Sequence, residues 1–255
     1  MSESVDLRRL LESWPYDPEN DARVVRGDDG REILQVRTPV GIEQLEMTGR
    51  PDGARPHGVE SALEFHLQRL AKAKAAGHEA EFELDAADCA ELSGEGTLYY
   101  LRYLRLFQLR RWADTVRDTA RNLRLFDFVH CYAAREEDQD NLEKWRPYIV
   151  RMNAVAGAMM ELEKGAHDKA LEILDAAAGR IESLDELEDE TFQFERQRSL
   201  LALRELTTQI KKNRPLSELE RLERQLRRAI ETQAFERAAE LRDRIRELRG
   251  QQELK

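Results

Sequence analysis

The chain has 255 residues, with 41 Lys and Arg against 51 Asp and Glu and a formal net charge of −10. That acidity excludes a general nucleic-acid coat, which holds phosphates by cationic neutralisation. Two widely separated cysteines, Cys89 and Cys131, exclude a disulfide framework and a structural zinc site. Residues 1–11 lack the apolar run of a secretory signal, and no window reaches the roughly 18 uninterrupted apolar residues of a membrane span. The expectation is a cytoplasmic protein of two or three small domains without membrane contact. Glu, Arg, Leu and Ala dominate, and they favour helix because they lose little rotamer freedom there.

Val5 to Trp14 reads as a short helix stopped by Pro15 and Pro18. Three short runs rich in Val, Ile and Leu follow: Ala22–Arg26, Glu32–Thr38 and Gly41–Met47. Asp28-Asp29-Gly30 separates the first two and Pro39 the others, which predicts an antiparallel meander. Three strands cannot bury a core alone. The covering helix is expected over Val59–Ala76, where Val59, Leu63, Leu67 and Leu70 recur at helical spacing before Gly77. Between sheet and helix lies Arg50-Pro51-Asp52-Gly53-Ala54-Arg55-Pro56-His57-Gly58. Helix N-termini attract anions, so Arg50, Arg55 and His57 form a candidate anion-binding loop, set against an ordinary connector whose arginines pair with acids.

Residues 85–203 carry helical periodicity throughout. Leu98, Tyr99, Tyr103, Leu104 and Phe107 form an aromatic face read as core, with Tyr100 beside it. Further helices are expected over Trp112–Leu125, Leu142–Lys164 and Ala166–Leu184. Gly165-Ala166-His167-Asp168-Lys169-Ala170-Leu171, with Ala158 before it and Ala177 after it, resembles a tetratricopeptide repeat, which sets small residues where paired helices cross. Thr115 stands in an earlier pair where Ala170 stands later. The acidic run Asp185–Glu190 reads as a solvated turn, and helix resumes over Phe192–Lys212 until Pro215.

The C-terminal stretch is the most informative. Leu216, Leu219, Leu222, Leu226, Ala229 and Ile230 form a stripe at intervals of three and four. After Glu231-Thr232-Gln233-Ala234 a second stripe runs through Phe235, Ala238, Ala239, Leu241, Ile245 and Leu248, with Gly250 as its expected end. A hairpin of about 33 residues is too small to be stable alone, so its apolar edge wants a partner.

Phe235-Glu236-Arg237-Ala238-Ala239-Glu240-Leu241-Arg242-Asp243 resembles the UVR motif shared by the excision-repair proteins UvrB and UvrC, the ATPase ClpC and the zinc-binding kinase activator McsA. The resemblance implies an antiparallel hairpin that associates with a like hairpin. Leu222, Leu226, Ile230, Phe235, Ala238, Ala239, Leu241, Arg242, Asp243 and Ile245 would form the partner-binding set. Phe235 would be the main apolar contact, with Arg242 and Asp243 the polar pair orienting the second helix. The remainder departs from those relatives: it has no G-x-x-x-x-G-K-[ST] loop, no GIY-YIG signature and no paired C-x-x-C. The combination resembles bacterial proteins that carry a UvrB/UvrC motif.

Little else suggests chemistry. No two of His57, His66, His78, His130 and His167 have metal-ligand spacing, so no metal and no cofactor are expected. His66 reads as a satisfied core histidine, and Cys131, beside His130, as a buried thiol. Asp138 and Asp140 read as caps for the long helix beginning near Asn141. The expected fold is mainly α: a small α+β domain (1–80), a tetratricopeptide-like helical domain (81–205) and the UVR hairpin (211–251). The expected function is that of a non-enzymatic adaptor. Its hairpin meets a UVR-like hairpin in a repair or stress/proteolysis partner, or in a second copy, and nucleic acid is involved only indirectly. The alternative is a nucleic-acid-associated accessory protein of nucleotide excision repair.

Overall fold

Runs of period two become strands and runs of period 3.6 become helices in the computed structural model, which describes residues 6–215 and 218–252. The chain divides into two compact units, Met1–Thr207 and Thr208–Lys255, a division that falls within one helix near the expected boundary at 205–211.

The first unit opens with a short helix α1 (Arg8–Ser13); Val5, its expected start, lies outside the described residues. Strands β1 (Ala22–Arg26), β2 (Glu32–Thr38) and β3 (Gly41–Glu46) form an antiparallel meander in the order β1-β2-β3. Register places Val24 opposite Leu34, and Leu34 opposite Leu45. Gly30 closes the first turn at φ 81°, a backbone state open to glycine at little cost.

The sheet is covered from an unexpected direction. Helix α2 (Ala62–Ala75) begins three residues later than expected because the Ser61 hydroxyl caps it, accepting from the Glu64 N–H. The sheet core instead joins Leu34, Val36, Leu45 and Met47 to Leu106, with Val24 and Leu109 packed against them. Leu106 belongs to the end of α3 (Ala86–Gln108), so α3 rather than α2 closes the meander. The sheet core thus reaches across the boundary expected at residue 81.

Helices α4 (Trp112–Tyr132), α5 (Glu136–Glu143), α6 (Arg146–Glu163), α7 (His167–Glu182) and α8 (Glu190–Asn213) follow. The single helix expected from Leu142 is two, because Pro147 is welcome only in the first turn of a helix and so starts α6. Asp138 and Asp140 accordingly sit inside α5. Asp138 pairs with Arg135 at 2.7 Å, and this hydrogen bond holds its carboxyl below the usual aspartate range. Tyr99 and Tyr103 are core as expected, whereas Tyr100 is exposed. Cys131 corrects the sequence reading, since it is exposed, whereas Cys89 is buried and desolvation pushes its thiol up to about 11.

One three-residue joint recurs. Between α3 and α4, Arg110 takes φ 56°, the Arg110 N–H donates to Phe107 O and the Arg111 N–H to Leu106 O. Between α6 and α7, Gly165 takes φ 74°, with the same bonds from Gly165 to Leu162 O and from Ala166 to Glu161 O. Each joint is a helix C-cap in which a left-handed residue lets two N–H groups reach back to carbonyls of the last turn. Thr115 and Ala170, both fully buried, sit at matching places in the helices that follow.

A buried charge cluster ties the layers together. Arg102, 1% exposed, grips Asp118 through two bonds of 2.6 and 2.9 Å. Its remaining reach goes to the carbonyls of Glu46, the last residue of β3, and of Gly49 beyond it, at 2.7 and 2.9 Å. Arg117 adds a bond to Asp118 at 2.9 Å and one to Met47 O at 2.8 Å. Removing one partner of a buried pair leaves an uncompensated charge, which is the most costly way to break it. Asp118→Ala is therefore expected to lower unfolding stability by about 3–5 kcal/mol in urea titrations. Asp118→Asn, which keeps an acceptor, should lose less; equal stability of all three chains would show that the pair does not hold the sheet.

Candidate interaction site on the C-terminal hairpin

The loop singled out for anions is already occupied from within. Ser61 caps the start of α2, and the Glu95 carboxylate of α3 accepts from Ala62 N–H at 2.7 Å and from Leu63 N–H at 3.1 Å. Arg50 reaches the same carboxylate at 3.2 Å and also pairs with Asp52, and Arg121 makes a short contact with Glu95. Glu95 is 1% exposed, so these donors satisfy a carboxylate that burial would otherwise penalise. The helix N-terminus attracts an anion as expected, but that anion is a side chain of the protein.

His57 is committed too. Its Nε2 lies 3.0 Å from Glu91, and its ring stacks on Phe65 at 3.8 Å. Arg55 is exposed. His66 is fully buried between Glu91 at 3.3 Å and Arg69 at 2.9 Å. Because Arg69 can only donate, His66 Nδ1 must accept and its proton sits on Nε2. Arg50, Arg55 and His57 therefore do not converge on an open pocket. Glu95, the residue that fills the site, had no local signal: an acid within a helix looks like any other solvated residue.

The hairpin consists of α9 (Glu218–Glu231) and α10 (Phe235–Gln252); Leu216 lies outside the described residues. Its turn repeats the joint of the first unit. Gln233 takes φ 56°, the Gln233 N–H donates to Ile230 O at 3.0 Å and the Ala234 N–H to Ala229 O at 2.8 Å. Ala238 then stands where Thr115 and Ala170 stand after the other joints, and it is buried like them.

The two stripes divide into a seam and an outer edge. Ala229, Ala238 and Ile245 are buried, and small residues at two of these three places let the helices approach closely. Leu222, Leu226, Leu241 and Leu248 are half-buried. Ile230 and Phe235 face outward at the turn, 54% and 69% exposed. Two details, at Ala239 and Gly250, differ from expectation. Ala239 is exposed, so only Ala238 serves the crossing. Arg242 and Asp243 are both exposed and pair with each other at 3.1 Å. Helix α10 continues through Gly250, because glycine weakens a helix without being required to stop it.

Residues 217–251 match the family described as UvrB/uvrC motif. No curated protein and no solved structure matches the chain. The match covers the hairpin and does not extend to the first unit. Among the described residues, no helix is long and apolar enough to cross a membrane.

Gln233 pays a backbone penalty that glycine would avoid, since left-handed φ brings Cβ against the following carbonyl. Gln233→Gly is expected to stabilise the turn by about 1 kcal/mol, slowing amide exchange at Ala234 and Ala238 about fivefold. Unchanged or faster exchange would show that the joint does not limit hairpin opening.

Proposed function

We propose that the chain is a non-enzymatic cytoplasmic adaptor whose C-terminal hairpin docks a partner bearing a similar hairpin, in excision repair or in stress-linked proteolysis of a bacterial cell. The family match supports a hairpin of an interacting type. The single observation that carries the reading is Phe235, an aromatic side chain 69% exposed at the tip of the hairpin.

The body offers an internal comparison. Trp112 follows the α3–α4 joint as Phe235 follows the α9–α10 joint. Trp112 is 7% exposed: it meets Phe107 edge-on at 5.3 Å and donates from Nε1 to Glu163 of α6 at 2.7 Å. An aromatic residue in this place is thus covered, in the first unit, by a neighbouring helix pair. Phe235 calls for the same kind of cover from a partner. On this reading the α3–α4 and α6–α7 pairs are tetratricopeptide-like units of the body, and Leu222, Leu226, Leu241 and Ile245 shape the hairpin that presents Phe235.

The test is affinity purification of the full chain and of Phe235→Ala from the cells that make it, with circular dichroism to check folding. Losing an aromatic anchor should cost about 2 kcal/mol or more, roughly thirtyfold in affinity, and deplete one UVR-bearing protein or a second copy of the chain. Equal recovery of all proteins by both chains would reject the reading.

A second reading rests on charge. Residues 208–255 carry 13 Lys and Arg against 9 Asp and Glu, while the remainder carries 28 against 42. Arg221, Arg224, Arg227 and Arg228 are exposed along α9. The hairpin thus has the sign needed for an accessory role on nucleic acid, although the whole chain does not. The adaptor reading expects the full chain to leave duplex and single-stranded DNA unshifted even at about 50 mM salt. A salt-dependent complex weakened by Arg221→Ala with Arg224→Ala would put the nucleic-acid reading in its place.

A further inference from the structure

The first unit holds a cavity of about 440 Å³, lined by residues of α3, α4, α5, α6 and α8 and of the α5–α6 connection. This lies within the range of roughly 300–1,000 Å³ typical of small-molecule sites. Its wall is aromatic, with Tyr100, Tyr103, Phe126, Trp145 and Tyr148 all contributing. The Tyr100 ring meets Tyr103 edge-on at 5.6 Å and Tyr148 at 6.0 Å. Trp145 and Tyr100 are 43% and 37% exposed, so the cavity is reached from solvent past them.

One polar side chain of this wall is only half satisfied. Glu195 of α8 lines the cavity and is 5% exposed. Arg198 donates to its Oε1 at 3.2 Å, whereas Oε2 has no hydrogen-bond partner among the described residues. Arg151 Nη2 stands 3.9 Å from Oε2, beyond hydrogen-bond reach, and is likewise buried without a partner among them. The Arg151 guanidinium is tied elsewhere, with Nε donating to Ser199 Oγ at 3.1 Å. Buried side-chain polar atoms nearly always have a partner, so an idle carboxylate oxygen in a cavity wall calls for a donor from within the cavity.

Charge decides what kind of donor. The single Glu195 carboxylate stands between two guanidinium groups, those of Arg151 and Arg198, which leaves a positive surplus around it. Burial pushes Arg151 below the usual arginine range, and repulsion from Arg198 adds to the shift. An ammonium group would enter against that surplus, and an anion would meet the idle oxygen as a like charge. An uncharged N–H or O–H avoids both.

We propose that this cavity binds an uncharged aromatic compound of one or two rings with an N–H or O–H on its edge that donates to Glu195 Oε2. Ring edges and faces along the wall favour an aromatic body over a saturated one of equal size. A hydrogen bond to a buried charged acceptor is strong, so it separates ligands that have the donor from those of the same shape that lack it. The inference concerns the first unit and stands whether or not the hairpin docks a partner.

The test uses the full chain with four probes. Indole has ring and N–H; benzofuran has the same shape with oxygen in place of the N–H. Cyclohexanol has a donor without an aromatic ring, and the benzylammonium ion has a ring and a positive charge. Indole is expected to raise the melting temperature saturably. It should bind at least about tenfold more tightly than benzofuran, and more tightly than either of the other two. Glu195→Gln, which can turn an amide N–H toward the ligand, should erase the preference for indole over benzofuran. Thr97→Trp fills the cavity from its α3 side and should abolish indole binding; this variant keeps the site testable should Glu195→Gln fail to fold. The assignment is overturned by any of four results: no saturable indole effect, a margin over benzofuran short of tenfold, equal or tighter binding of cyclohexanol or benzylammonium, or a folded variant that binds as the parent chain does.

Discussion

Two buried carboxylates, Asp118 and Glu95, decide where the sheet and the helices of the first unit can sit. Neither can be left unpaired away from water, so each has to be met by arginines and backbone N–H groups in fixed places. Asp118 fixes Arg102, and Arg102 in turn holds the carbonyls of Glu46 and Gly49 as the chain leaves the meander. Glu95 fixes the entry of α2 and collects Arg50 and Arg121. Tyr99 lies between the two groups, with the guanidinium of Arg121 at 3.9 Å and that of Arg102 at 4.9 Å from its ring. A hydrophobic core tolerates sliding; a set of charge-assisted bonds with this many partners does not, and it selects one register of sheet on helix.

The legibility of the sequence follows the same division. Where local pattern decides, the residues announce the structure: alternating Val, Ile and Leu gave β1 and β2 their ends, and the spaced leucines gave α2 and the hairpin. Where distant partners decide, they do not. Nothing near Leu106 says that it completes the sheet core, and nothing near Glu95 says that it will cap a helix more than thirty residues earlier. Pro147 starts α6 inside a long apolar run that by its spacing reads as one helix. Cys131 is exposed where a buried thiol is expected, because helical phase, with no other signal, cannot tell a buried face from a slightly rotated one.

The candidate site shows both sides. The stripe from Leu222 to Ile230, and from Phe235 to Ile245, was readable as a hairpin, and the family match falls on the same stretch. Which members of that stripe face outward was not readable. A stripe marks what wants burial without saying what is left over after the two helices have covered one another. Ile230 and Phe235 are that remainder, because they flank the turn, where two helices diverge and neither can shield the end of the other.

The joint that closes all three helix pairs uses backbone groups alone: one left-handed residue and two N–H groups reaching back. Arginine, glycine and glutamine each fill its central position here. Such a hinge imposes almost no spelling on the chain, so related helix pairs can drift apart in letters while remaining alike in shape. Kinship between the body and the tail of this molecule would then be sought by superposing turns, since an alignment of residues has almost nothing to hold on to.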